Sequence, residues 1–187
     1  MTSAIRLNPA RAAILAVDDS PQAMEILSQI LLGFGATKAA KCHSARDAKR
    51  LLASETFNLA IIDDDMPGED GYDLTQWVRL DPGGRSYTAP IIIATSNPAR
   101  SRILKARDCG ANAVITKPII PAVLLQRMER MARITRPFVT SDSYRGPDRR
   151  FQNLPLPDGV SERRMEALRL MEAPERELSQ DEINSLV

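Results

Sequence analysis

Leu59-Ala60-Ile61-Ile62-Asp63-Asp64-Asp65-Met66-Pro67-Gly68 decides the fold of this 187-residue chain. Four apolar residues without helical spacing, followed by three carboxylates and a Pro-Gly turn, predict a short strand buried on both faces that runs into a polar loop. Similar runs occur at Ala13–Val17, Thr37–Cys42, Ile91–Thr95 and Ala113–Thr116. Amphipathic stretches lie between and after them, at Pro21–Leu32, Ala45–Ser54, Tyr72–Leu80, Pro98–Cys109 and Ile119–Ile134. Several carry end signals: Ser20 before Pro21, Ser44 with Asp47 three residues on, Asn97 before Pro98, and Gly110 after Cys109. Five strands alternating with five helices predict a five-stranded, doubly wound parallel α/β sheet covered on both faces.

Ligands of such sheets bind beyond the carboxyl ends of the strands. There the sequence places Asp18 and Asp19, Asp63-Asp64-Asp65, Thr95 and Ser96, and Lys117. Carboxylates crowded together repel one another unless a hard cation lies among them, and Mg²⁺, which takes carboxylate, carbonyl and water oxygens, suits the set. A carboxylate beside a metal, a hydroxyl and an ammonium is equipped to accept a phosphoryl group.

Composition narrows the rest. With 25 Lys+Arg against 24 Asp+Glu the net charge is +1, which argues against a protein that coats nucleic acid with positive field. Cys42 and Cys109 form no Cys-x-x-Cys and the single His43 has no ligand-spaced partner, so neither a disulfide scaffold nor a zinc site is supported. The longest apolar runs, such as Ile91–Ala94, fall short of the roughly 18–20 residues that span a bilayer. With no targeting segment visible, the chain reads as cytoplasmic.

The charge is unevenly spread. From Arg127 to Arg150 there are seven Arg and three acids; from Phe151 to Val187, four Arg and eight acids. Pro and Gly multiply after Arg136, so the reading is a domain over 1–136 and a flexible extension over 137–187, arginine-rich over 137–158 and acidic over 159–187.

The segments Val17-Asp18-Asp19-Ser20, Asp63-Asp64-Asp65-Met66-Pro67-Gly68, Ala94-Thr95 and Thr116-Lys117-Pro118 together resemble the receiver domain of bacterial response regulators, the CheY-like, flavodoxin-like phosphorylation switch. The match covers about residues 11–135. It implies Asp63 as phosphoacceptor, Asp18 and Asp19 as the acidic pair that holds Mg²⁺ with Asp63, the Asp65 carbonyl completing the metal site, and Thr95 and Lys117 meeting the phosphoryl group. Haloacid-dehalogenase-type phosphatases use similar parts in the opposite chain order, with the nucleophile first, so the resemblance implies a signalling protein rather than an enzyme. One departure is Val114, three before Lys117, where receivers usually carry an aromatic that swings inward; coupling to the outer face of the fourth and fifth elements is then weak or works differently. A second is the extra charge of Asp65 near the attack path.

The extension is too short for a helix-turn-helix output, so no DNA contact is expected. In Ser143-Tyr144-Arg145-Gly146-Pro147-Asp148-Arg149-Arg150-Phe151, Gly-Pro suggests a tight bend. Composition alone reads as a solvated basic linker, yet Arg and Asp can also pair with guanine edges, and Arg with phosphate. An arginine-rich extension after a CheY-like receiver resembles the alphaproteobacterial CheY-like cyclic di-GMP-binding (Cle) proteins. That resemblance implies guanine reading by Arg145 and Asp148, phosphate contact or stacking by Arg149 and Arg150, and stacking by Tyr144 and Phe151, with Gly146 in the same ligand-binding segment.

Ser161–Met171 has helical spacing, and Leu178-Ser179-Gln180-Asp181-Glu182-Ile183-Asn184-Ser185-Leu186 reads as a short amphipathic helix with Ser179 as N-cap and Glu182 as its capping-box partner. The latter resembles the peptide by which the flagellar motor switch protein captures a phosphorylated receiver, which implies a tail able to occupy its own docking face or another receiver's. The combined expectation is a response regulator phosphorylated on Asp63 by a histidine kinase or phosphotransfer protein, binding cyclic di-GMP and signalling to a partner such as the flagellar motor. The alternative is a plain phosphotransfer relay or phosphate sink with an inert tail.

Overall fold

The computed structural model describes residues 12–133, 136–141, 143–149 and 178–186. Its elements run β1 (Ala13–Val17), α1 (Pro21–Gly33), β2 (Lys38–Cys42), α2 (Ala45–Ser54), β3 (Leu59–Asp63), α3 (Gly71–Leu80), β4 (Ile91–Thr95), α4 (Arg100–Asp108), β5 (Ala113–Thr116) and α5 (Pro121–Arg133), then β6 (Phe138–Thr140), β7 (Arg145–Pro147) and α6 (Gln180–Leu186). The first five strands form one sheet in the order β2-β1-β3-β4-β5, every pair parallel.

Strand periodicity divides the interior in two. Leu15, Val17, Ile62, Ile91 and Ile93 pack with Leu52, Leu74 and Ile103 from α2, α3 and α4. Ile14, Ala16, Ile61, Ile92 and Ile115 pack on the other face with Leu27, Leu31, Leu124 and Met128 from α1 and α5. All five residues of β3 and of β4 are buried, as a central parallel strand requires. No described helix is long and apolar enough to cross a membrane.

The predicted caps form at α1 and α2, where Ser20 and Ser44 accept from the backbone N–H groups of Ala23 and Asp47. At α4 the helix begins at Arg100, later than the spacing suggests, because Asn97 Oδ1 turns back to accept from the Ala99 N–H ahead of it. Gly71 opens α3 where a Cβ would fall 2.0 Å from the Asp63 carbonyl oxygen, so only glycine lets α3 start this close to the end of β3.

The described part of the extension is folded. β6 and β7 pair antiparallel, with Phe138 opposite Pro147 and Thr140 opposite Arg145. The expected bend at Gly146-Pro147 is instead extended strand, and the chain reverses ahead of it, where the Ser141 N–H donates to the Tyr144 carbonyl. The hairpin seats on the receiver through the Tyr87–Phe138 ring pair, 4.7 Å between centroids, and through Gly110. Gly110 has φ +97, and a Cβ there would meet the Arg145 carbonyl at 2.7 Å. The Ser161–Met171 stretch lies outside the described residues.

Candidate functional site

Asp18 and Asp63 stand just past or at the ends of adjacent strands β1 and β3, both nearly buried, and Lys117 follows β5. The Lys117 ammonium bridges them, 2.8 Å from Asp18 Oδ2 and 2.7 Å from Asp63 Oδ1. Burial pushes the Asp63 carboxyl up to about 6, against the hydrogen bond and charge of Lys117, which draw it down. Burial works to strip the Lys117 proton, yet its two carboxylate partners outweigh this and hold its pKa above the ordinary lysine value. Asp18 is fixed from both sides: its Oδ1 accepts from the Ser20 N–H at 3.0 Å, and its own N–H donates to the Cys42 carbonyl at 3.1 Å.

Asp19 completes a group with Asp18 and Asp63 in which one carboxylate oxygen from each lies within 4.8 Å of the other two. Three hard oxygen donors at that spacing fit a divalent cation such as Mg²⁺, whose charge would relieve their repulsion. Asp65 adds no carboxylate to the group: its side chain is 78% exposed and lies 3.8 Å from Arg102 Nη2. What it can offer is the backbone carbonyl that the family resemblance implies.

Asp64 and Thr95 depart most from the expected arrangement. The three consecutive aspartates do not converge on one pocket. Asp64 turns toward α3 and α4, where its Oδ2 accepts from Tyr72 Oη at 2.8 Å, Thr95 Oγ1 at 2.7 Å and Arg102 Nη1 at 3.0 Å. The Thr95 hydroxyl is thus engaged by Asp64 and by the Asn97 carbonyl at 3.1 Å, and Asp63 receives its charge partner from Lys117 alone among the described side chains. Side-chain alternation accounts for the split: Asp18, Asp63 and Lys117 continue the alternation of Ala16, Ile61 and Ile115, whereas Asp64 and Thr95 continue that of Ile62 and Ile93. Sequence reading missed Tyr72 and Arg102 as members of this cluster; period two carried one step past the strand would have separated Asp64 from its neighbours.

The arginine-rich segment is partly engaged with the receiver. Arg149 stacks over the Tyr144 ring at 3.5 Å and pairs with Asp108 at 3.0 Å. Arg145 Nη1 reaches the Leu80 carbonyl at 3.4 Å, and the Asp148 carbonyl accepts from Arg136, a residue the sequence reading left unassigned. Gly146 is buried, with a Cβ there meeting Tyr144 Oη at 2.6 Å and Gly110 Cα at 2.9 Å, so its role is to let the hairpin seat. Arg150 and Phe151 lie outside the described residues.

The C-terminal helix α6 occupies the face made by α4, β5 and α5. Ile183 is fully buried in the same cluster as Ile103, Ala106 and Val114, joined by Leu178. Gln180 Nε2 donates to the Val114 carbonyl at 3.2 Å, the Leu178 N–H to the Pro98 carbonyl at 3.0 Å, and Arg127 to Asn184 Oδ1. The capping box forms as read: the Ser179 N–H donates to Glu182 Oε2 at 3.0 Å and the Glu182 N–H to Ser179 Oγ at 3.4 Å.

A family model described as the response regulator receiver domain matches residues 14–129. Over 118 residues the chain is 31% identical to the chemotaxis protein CheY of Pseudomonas aeruginosa, covering 63% of this chain and 94% of that one. It is 32% identical over 120 residues to Protein PetR of Rhodobacter capsulatus, spanning 64% of this chain but only 48% of PetR. Among solved structures, the receiver domain of a signal transduction histidine kinase from Syntrophus aciditrophicus is similar at TM-score 0.59 and 31% identity, covering 71% of this chain and 99% of that chain. A putative response regulator from Chloroflexus aurantiacus is similar at TM-score 0.61 and 28% identity, covering 66% and 98%. With a parallel sheet in the order β2-β1-β3-β4-β5, an acidic group of Asp18, Asp19 and Asp63 at its carboxyl edge, and a family match over residues 14–129, the chain belongs to the response regulator receiver domain family.

Proposed function

We propose that this protein is a non-catalytic signalling adaptor in which phosphorylation of Asp63 and binding of cyclic di-GMP by residues 137–158 jointly set its output to a partner such as the flagellar motor. The observation that carries the phosphorylation half is Lys117 bridging Asp63 and Asp18 at 2.7 and 2.8 Å, with Asp19 beside them. Asp18, Asp19 and Asp63 would hold Mg²⁺ with the Asp65 carbonyl, and the ion supplies positive charge to the phosphoryl oxygens. An Asp63 oxygen forms the new bond to phosphorus as the bond from phosphorus to a histidine nitrogen of the donor kinase or phosphotransfer protein breaks. Lys117 is already poised over the acceptor to neutralise the charge that arrives.

Cyclic di-GMP binding is supported by the chemistry of the hairpin: Arg149 stacked on Tyr144 offers a flat cationic face, and Arg145 and Asp148 stand beside it with complementary donors and acceptors for guanine. Arg150 and Phe151 follow directly in the sequence. Motor recruitment is supported by α6, whose sequence resembles a motor peptide and which covers the α4–β5–α5 face in cis. The protein acts in the cytoplasm, drawn to the motor or cell pole when α6 leaves that face to a partner.

Calorimetry with cyclic di-GMP on the full chain tests this reading. A saturable heat is expected for the wild type and should disappear in Arg145→Ala and Asp148→Ala. Equal weak heats for all three would overturn it and leave a phosphotransfer relay.

A further inference from the structure

Between α5, the outer edge of β5, the β6–β7 hairpin and α6 lies a cavity of about 460 Å³, within the range of small-molecule sites. Its described lining holds four arginines, Arg79, Arg127, Arg130 and Arg136, and no acidic residue. Arg79 is committed to structure, donating to the carbonyls of Gly110, Tyr87 and Ala89 and to Asn112 Oδ1. Arg136 donates to the carbonyls of Asp148 and Asn112. The other two are differently placed. Arg127 is only 5% exposed and meets a neutral acceptor, the Asn184 amide oxygen. Burial and the adjacent charge of Arg130 both press its pKa below the ordinary arginine value, against the pull of Asp181. Arg130 has no ion-pair partner among the described residues, and the acid next to it in sequence, Glu129, is paired with Arg133 at 3.6 Å. Two mutually repelling guanidiniums beside the apolar Met131 and Phe138 form a site short of one anion.

We propose that this cavity binds a small organic phosphate bearing a flat ring, of the nucleoside monophosphate class, with Arg130 and Arg127 on the phosphate and Phe138 and Met131 against the ring. A phosphate offers Arg127 an opposite full charge and two acceptor oxygens where the Asn184 amide offers one neutral oxygen, so a phosphate displaces Asn184 from Arg127 and loosens α6 at that point. Different side chains carry this site from those assigned to cyclic di-GMP, although a cyclic dinucleotide shares its phosphate chemistry.

Titration of the full chain with guanosine 5′-monophosphate, adenosine 5′-monophosphate, inorganic phosphate and cyclic di-GMP, followed by methyl NMR at Met131 and Ile183, separates the possibilities. A mononucleotide should shift both methyls. Arg130→Gln should weaken its binding about tenfold or more, the loss of one charge-assisted contact. Asn184→Ala should leave binding equal or tighter, and Asp148→Ala should leave it unchanged. Absence of binding by every phosphate, binding indifferent to Arg130→Gln, or inorganic phosphate binding as tightly as the nucleotides would each overturn the proposal. Cyclic di-GMP binding lost in Asp148→Ala but kept in Arg130→Gln, with no mononucleotide bound, overturns the cavity site and leaves the hairpin reading standing. Mononucleotide binding without cyclic di-GMP binding does the reverse.

Discussion

Asp64 accepts three hydrogen bonds on one carboxylate oxygen, while the other is buried and unpartnered. The arrangement holds because Arg102 brings a positive charge to the loaded oxygen. Removing the carboxylate strands the buried Tyr72 hydroxyl, leaves Thr95 only the Asn97 carbonyl, and unpairs Arg102, whose side chain is one-third exposed. Asp64→Ala is therefore expected to lower unfolding free energy by about 1–3 kcal/mol in urea titration. Asp65→Ala, one residue on with its side chain 78% exposed, should shift it by no more than about 0.5 kcal/mol. Equal effects would show that the Asp64 cluster is not a structural tie. Thr95 has a single hydroxyl proton, so it can serve Asp64 or a phosphoryl group on Asp63, but not both at once. Where receivers usually place an aromatic, Val114 leaves room, and the tail residue Ile183 is buried in the same cluster.

At the scale of elements, α6 depends on what it covers. A seven-residue helix has no stability of its own in water, so its order comes from burying Leu178 and Ile183 and from the capping box. Truncating a fully buried Ile costs about 2–5 kcal/mol, more than so short an element can hold. Ile183→Ala should release α6 while the sheet stays intact: amide exchange should become fast over residues 180–186 and remain slow in β1, β3 and β4. Retained protection in α6 would mean that its hydrogen bonds to Val114 and Pro98 suffice. The helix was legible in the sequence down to its Ser179–Glu182 box, because capping is local. Its seat was open between its own receiver and another's, because nothing in nine residues specifies which apolar face they meet.

For the whole molecule, charge is sorted by region, and acid stability follows from that sorting. Asp70 caps α3 and ties it to α4 through Lys105 Nζ at 2.7 Å. Burial raises its carboxyl pKa, but Lys105 and the Asp73 and Tyr72 N–H groups outweigh this and hold it below the ordinary aspartate value. A lowered carboxyl stabilises the fold above the unfolded-state value near 3.8, and that contribution is lost as pH falls through the lower folded-state value. Asp70→Asn keeps an N-cap acceptor and removes the charge. It should cost up to about 1 kcal/mol at pH 7, since Lys105 is half-exposed, and the gap from wild type should close in acid. A gap independent of pH would assign the loss to the cap alone. The sequence by itself determined the alternation of strands and helices, the parallel sheet and the row of polar groups at its carboxyl edge, because buried strands and capped helices are written in local patterning. Only the tertiary structure decided that Tyr72 and Arg102 close around Asp64, that Arg145-Gly146-Pro147 is a strand rather than a bend, and that α6 closes over β5 to leave an arginine-lined cavity. Those outcomes depend on contacts between segments as far apart as Val114 and Gln180, 66 positions along the chain, whose pairing no local pattern encodes.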